Sequence, residues 1–67
     1  MKISLKAARV NAGYGQKEAA KLLGIGNGTL SNWEKGRSFP DVKKLEALCE
    51  LYGVSYNDLI FLPSKTL

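Results

Sequence analysis

Histidine is absent from this 67-residue chain, and cysteine, methionine and tryptophan occur once each. Without histidine, neither a Ser-His-Asp nor a Cys-His catalytic arrangement can be assembled within the chain. One cysteine excludes an internal disulfide and, with no histidine beside it, a zinc site of the Cys/His kind, so the core has to be held by apolar packing. No apolar run approaches the roughly 18 residues that span a bilayer. Lys2 and Lys6 interrupt the N-terminus before a signal-peptide core could develop. A cytoplasmic location is therefore expected, and a reduced thiol fits it. Below about 70–80 residues a lone core stabilises only marginally. One domain over 1–67 is expected, with 64–67 as a frayed tail. Neither a pocket of useful size nor a catalytic constellation fits this length. The chain reads as a binding protein rather than an enzyme, with no cofactor, no metal and no small-molecule ligand.

What the chain does have is basic charge in one half. Residues 1–37 hold seven basic and two acidic side chains, a net of +5, whereas 38–67 hold three and four, a net of −1. Such asymmetry is expected when one face meets a polyanion, although a soluble surface alone accounts for a total of +4 equally well.

Glycine punctuates a series of short helices. Leu5, Ala8 and Ala12 repeat at helical spacing behind Ser4, an acceptable N-cap, up to Gly13. Gln16 to Leu23 carries Ala19, Ala20, Leu22 and Leu23 on an apolar stripe and stops at Gly24. Gly26 opens a third helix with Leu30 and Trp33 inward, closed by Gly36. Pro40 and Asp41 open a fourth, in which Val42, Leu45, Leu48, Cys49 and Tyr52 follow helical spacing to Gly53. Ser55 and Asp58 have the spacing of a capping box for a short fifth helix through Leu59 and Ile60, stopped by Pro63. Asn27-Gly28 is also a hairpin signal, but its flanks do not alternate. The glycine-rich run 24–28 has neither the Lys-Ser/Thr ending nor the βαβ setting of a phosphate loop.

The informative unit is 16–35, two short helices joined by the tight turn Gly24-Ile25-Gly26. Ala20 is small where the second helix must cross the first. Once Leu30 and Trp33 are turned inward, the outer face of the second helix keeps Asn27, Gly28, Thr29, Ser31, Asn32 and Lys35. Lys and Glu would serve solubility better. Short hydrogen-bonding side chains suit a major groove, where Asn bonds adenine N6 and N7 and the Thr methyl meets a thymine methyl.

The run Gln16-Lys17-Glu18-Ala19-Ala20-Lys21-Leu22-Leu23-Gly24-Ile25, then Thr29 to Arg37 and Pro40, resembles the Cro and repressor type of helix-turn-helix regulator, also called the XRE family. Gly53-Val54-Ser55 ahead of Asp58-Leu59-Ile60 is similar to the same family's last helix. The resemblance covers about residues 4–62. It implies an all-α, compact five-helix, lambda-repressor-like domain of phage or prokaryotic type. Helices two and three would form the helix-turn-helix of a transcription regulator or repressor bound to a two-fold symmetric double-stranded DNA operator as a dimer. It also implies roles: Asn27, Gly28, Thr29, Ser31 and Asn32 at base edges; Gln16, Lys17, Lys35 and Arg37 at phosphates; Arg9 and Glu34 as a buried ion pair between the first and third helices.

Three departures from the pattern stand out. Gly15 and Gly26 replace the Ser or Thr that usually caps these helices, and Gly28 stands where a long base-reading side chain is frequent. Trp33 and Tyr52 read as core, Tyr56 as rim, Cys49 as an inert buried thiol and Lys43-Lys44 as solvated face. Ile60, Phe61 and Leu62, with Tyr56, exceed what a short last helix can bury and are expected to form a self-association patch. The alternative function is a protein-interaction module on the same fold, such as an antitoxin or adaptor with secondary DNA binding.

Overall fold

Ser4 starts the first helix, its Oγ accepting a hydrogen bond from the Ala7 N–H at 3.1 Å, in the computed structural model, which describes residues 2–61. Helix α1 spans Leu5–Asn11 and turns Leu5, Ala8 and Arg9 inward. Helix α2, Gln16–Leu23, buries Ala19, Ala20 and Leu23. Helix α3, Asn27–Lys35, buries Leu30, Trp33 and Glu34. Helix α4, Val42–Tyr52, starts on Asp41, whose Oδ1 accepts from the Lys44 N–H at 2.9 Å, and buries Leu48 and Tyr52. Bounds this close to the glycine and cap signals follow from the caps themselves: Gly24, Gly36 and Gly53 each end a helix in the left-handed region.

The core joins all four helices. Leu30 of α3 and Leu48 of α4 are fully buried, surrounded by Leu5, Ala8, Ala19, Ala20, Leu23, Trp33, Tyr52 and Leu59. Each such leucine contributes about 1.5–3 kcal/mol of apolar transfer free energy. Ala19 and Ala20 are buried on α2, which packs against α3, and small side chains on a buried face allow close helix packing.

The fifth helix does not form. Its capping box does: Ser55 Oγ accepts from the Asp58 N–H and the Ser55 N–H donates to Asp58 Oδ2 at 3.4 Å, while the Asn57 N–H also donates to Ser55 Oγ at 3.1 Å. It serves only one 3₁₀ turn, Tyr56–Asp58. Leu59 then leaves in an extended conformation, and Leu59–Ile60 (β2) pairs in parallel with Ile3–Ser4 (β1) in the register Ile3 to Leu59 and Ser4 to Ile60. Backbone groups that a helix would have satisfied are taken by this ladder and by Lys2, whose Nζ donates to the Asn57 carbonyl at 2.8 Å. Among the described residues the architecture is thus four α-helices, one 3₁₀ turn and a two-stranded parallel pair.

Three apolar positions differ from their reading by period. Val42 is 71% exposed and Leu22 59% exposed. Both sit at the edge of a helical stripe whose centre alone meets a neighbouring element. Cys49 is half-buried, and burial pushes its thiol pKa up. Leu62 and the tail 64–67 lie outside the described residues. Among the described residues no helix is long and apolar enough to cross a membrane, and no group of His, Cys, Asp and Glu side chains is placed to hold a metal ion.

Candidate nucleic-acid interface

Helix α3 lies across the core on Leu30, Trp33 and Glu34 and turns its other side outward. At about 100° per residue, Gly28, Asn32 and Lys35 fall at i, i+4 and i+7 along the centre line of that outward side. All three are exposed. Asn27 and Thr29, also exposed, flank the line near the start of the helix, and half-buried Ser31 borders it on the side of α1. A Cβ added at Gly28 would meet no atom within 4 Å, so the bare position lies in open space.

The first turn of α3 carries no acidic side chain, and its N-cap, Gly26, makes no side-chain hydrogen bond. The N-terminal end of the helix dipole therefore faces outward without a local anion. Arg37 follows the C-terminal glycine of α3 and is exposed, as is Lys17 in the first turn of α2.

One buried network fixes α3 to the elements around it. Arg9 Nε donates to Glu34 Oε2 at 2.7 Å and Arg9 Nη2 to Glu34 Oε1 at 3.4 Å. Arg9 Nη1 donates to the Tyr14 carbonyl at 2.9 Å, which ties the α1–α2 loop to the same guanidinium. Gln16, the first residue of α2, donates through Nε2 to Glu34 Oε1 at 3.0 Å. Glu34 thus accepts from two elements, and a planar guanidinium meets a planar carboxylate with little solvent between them.

Above this network is an open polar cleft of about 420 Å³ lined by Lys6, Arg9, Gln16, Ser31, Glu34 and Lys35. It brings together Gln16, Ser31 and Lys35 from the sequence reading. It also adds Lys6, to which the sequence assigned no site role. The signal was available: Lys6 stands three residues before Arg9 on α1, hence on the same helical face.

Behind the network, the Tyr52 hydroxyl is buried without a hydrogen-bond partner among the described residues. Burial first, then the charge of Glu34, pushes its pKa up to about 12, with Arg9 opposing.

Of the residues expected to form a self-association patch, Tyr56, Ile60 and Phe61 are described, and none of them lines the polar cleft. Tyr56 is 60% exposed and borders an apolar groove of about 520 Å³ with Val42, Leu45, Glu46, Cys49, Val54 and Ser55. Ile60 is exposed. Phe61 is half-buried, edge-to-face with exposed Phe39 at a centroid distance of 5.9 Å. Phe39, in the loop after α3, was not among the expected patch residues.

Comparison with known proteins bears on what this arrangement does. A helix-turn-helix family profile matches residues 5–59. The HTH-type transcriptional regulator ImmR of Bacillus subtilis is 52% identical over 56 residues, which cover 84% of this chain and 44% of that protein. The cryptic phage CTXphi transcriptional repressor RstR of Vibrio cholerae is 32% identical over 56 residues, 84% of this chain and 50% of that protein. The antitoxin PezA of Streptococcus pneumoniae is 30% identical over 57 residues, 85% of this chain and 36% of that protein. The chain therefore spans about half the length, or less, of these relatives. No solved structure matches it significantly.

Proposed function

Because this chain belongs to the helix-turn-helix family, we propose that it is a sequence-specific double-stranded DNA-binding regulator of transcription that lays α3 in the major groove. The observation that carries this reading is the composition of the exposed side of α3. Asn27, Thr29, Ser31 and Asn32 surround a glycine, with Lys35 at the end of the line. These side chains hydrogen-bond base edges, and Gly28 lets the helix backbone approach the groove floor. Gln16, Lys17, Lys35, Arg37 and the cleft-lining Lys6 meet phosphates on either side and set the register. Activity rests on binding alone, in the cytoplasm where the DNA is accessible.

Two copies bind a two-fold related site, associating through Tyr56 at the apolar groove on α4 and through Ile60 and Phe61. A repressor role is supported by similarity to RstR, whose name describes a phage transcriptional repressor. The second reading, a module that binds a protein partner such as a toxin, is favoured by similarity to PezA and by the same groove.

Titration of a labelled duplex against the chain at several salt concentrations tests the reading. Affinity should fall steeply and linearly on a log-log plot as salt rises. Asn32→Ala should relax preference at one base position, and Arg37→Ala should weaken all sequences alike. Equal binding to every duplex, together with a stable complex with a partner chain, would favour the second reading.

A further inference from the structure

The turn that sets the angle between α2 and α3, Gly24-Ile25-Gly26, has no polar side chain of its own, and the helices it joins both begin on glycines that make no side-chain cap. A side chain from elsewhere reaches it. Lys44, in the first turn of α4, donates from Nζ to the carbonyl of Leu23, the last residue of α2, at 3.1 Å. The same ammonium would stand 3.9 Å from a Cβ on Gly24, whose φ of +73° already disfavours a side chain there. Lys44 is held at its other end too, since its N–H donates to the Asp41 cap. A cation bonded to a terminal carbonyl satisfies a group the helix leaves unpaired and opposes the negative end of the helix dipole.

We infer that Lys44 is a positioning residue for DNA recognition. It ties α4 to the end of α2 and so fixes the angle at which α3 is presented. Lysine suits the task because its long stem crosses from α4 to the turn while the ammonium bonds a single carbonyl. The inference rests on α3 being the base-reading helix. It assigns Lys44 no contact with DNA.

The test uses the full chain, a duplex selected by the wild-type chain from a random pool, and a scrambled duplex of equal length. Affinities are measured over a range of salt, below each variant's thermal midpoint. Lys44→Met keeps the stem and loses the donor. It should lower the ratio of preferred to scrambled affinity about tenfold, the scale of one charged hydrogen bond, and leave the salt slope unchanged. Lys44→Arg should keep the ratio within about twofold because it keeps a charged donor. Gly26→Ser in the Lys44→Met background should recover part of the loss by capping α3, where a Cβ at 26 meets only Thr29 Oγ1 at 3.9 Å.

A ratio that Lys44→Met leaves unchanged overturns the inference, as would a change in melting temperature alone. A salt slope reduced by about one also overturns it, since that marks a phosphate contact. If Lys44→Met does not fold, Lys44→Gln is measured instead. A fall of about threefold is expected for that weaker neutral donor, and an unchanged ratio contradicts the inference equally. Asn32→Ala runs alongside: preference undiminished in that variant overturns the assignment of α3, which is a separate failure.

Discussion

Arg9 and Glu34, 25 positions apart, meet at 2.7 Å and join the first helix to the outward-facing third. Both are buried, so each is the other's main compensation for lost hydration. Truncating one partner leaves an uncompensated charge in the core. Arg9→Ala and Glu34→Ala should each cost about 3–5 kcal/mol of stability, measured by urea unfolding. The double replacement Arg9→Met/Glu34→Leu should recover much of that. Single variants as stable as the wild type would show the pair to be solvated.

Gly28→Ala should move stability and binding in opposite directions. Gly28 is the second residue of α3; alanine is favoured over glycine by up to about 1 kcal/mol in a helix, and the added Cβ meets nothing within 4 Å. The melting temperature should therefore rise. Affinity for the preferred duplex should fall, because the Cβ stands between the helix backbone and the groove. An equal or higher affinity would show that the glycine only removes a base contact.

Tyr52 gives the fold a dependence on alkaline pH. The phenol ionises near 10 in an unfolded chain and at about 12 in the folded one, chiefly through burial. The folded chain holds the proton more tightly, so this contribution is complete below about pH 10 and is lost as pH rises towards 12. Tyr52→Phe should remove that slope. At neutral pH it should change stability little, or raise it, because the hydroxyl is buried without a partner among the described residues. Unfolding followed across this range in both proteins checks the sign.

Much of this arrangement is legible in the sequence, for local reasons. The bounds of α2, α3 and α4 follow from glycines and from Asp41, whose capping acts within one turn. Leu30, Trp33, Leu48 and Tyr52 lie at the centres of their helical stripes and are core. What is not legible depends on distant partners. The residues after Asp58 carry a sound helix-start signal, yet the segment pairs with Ile3–Ser4, and a two-residue strand leaves no period to detect. Period alone cannot separate Val42 from Leu48, because only packing shows which edge of a stripe stays wet. Lys6 and Lys44 look like solvated lysines until α1 and α4 are docked. Nothing in the spacing of Arg9 and Glu34 brings them together; that expectation came with the family resemblance.

Self-association should depend on the groove beside Tyr56. Val42→Glu and Tyr56→Glu add negative charge to a mostly apolar groove that already carries Glu46, without disturbing buried side chains, since both residues are exposed. Each should shift sedimentation towards monomer and flatten cooperative binding to a two-site duplex, while affinity for a single half-site stays within about twofold. An unchanged association state would take the groove out of the interface and leave Ile60 and Phe61, with Phe39 packed on Phe61, as the surface to vary next.

The most direct test of DNA reading by α3 is selection of bound sequences from a random duplex pool. A two-fold symmetric consensus is expected, with half-sites about one helical turn apart. Repeating the selection with Asn27, Thr29, Ser31 and Asn32 all replaced by Ala should erase the consensus while salt-dependent binding persists. The same consensus from the fourfold variant, or none from the wild type, would contradict the reading of α3 as the base-contacting helix.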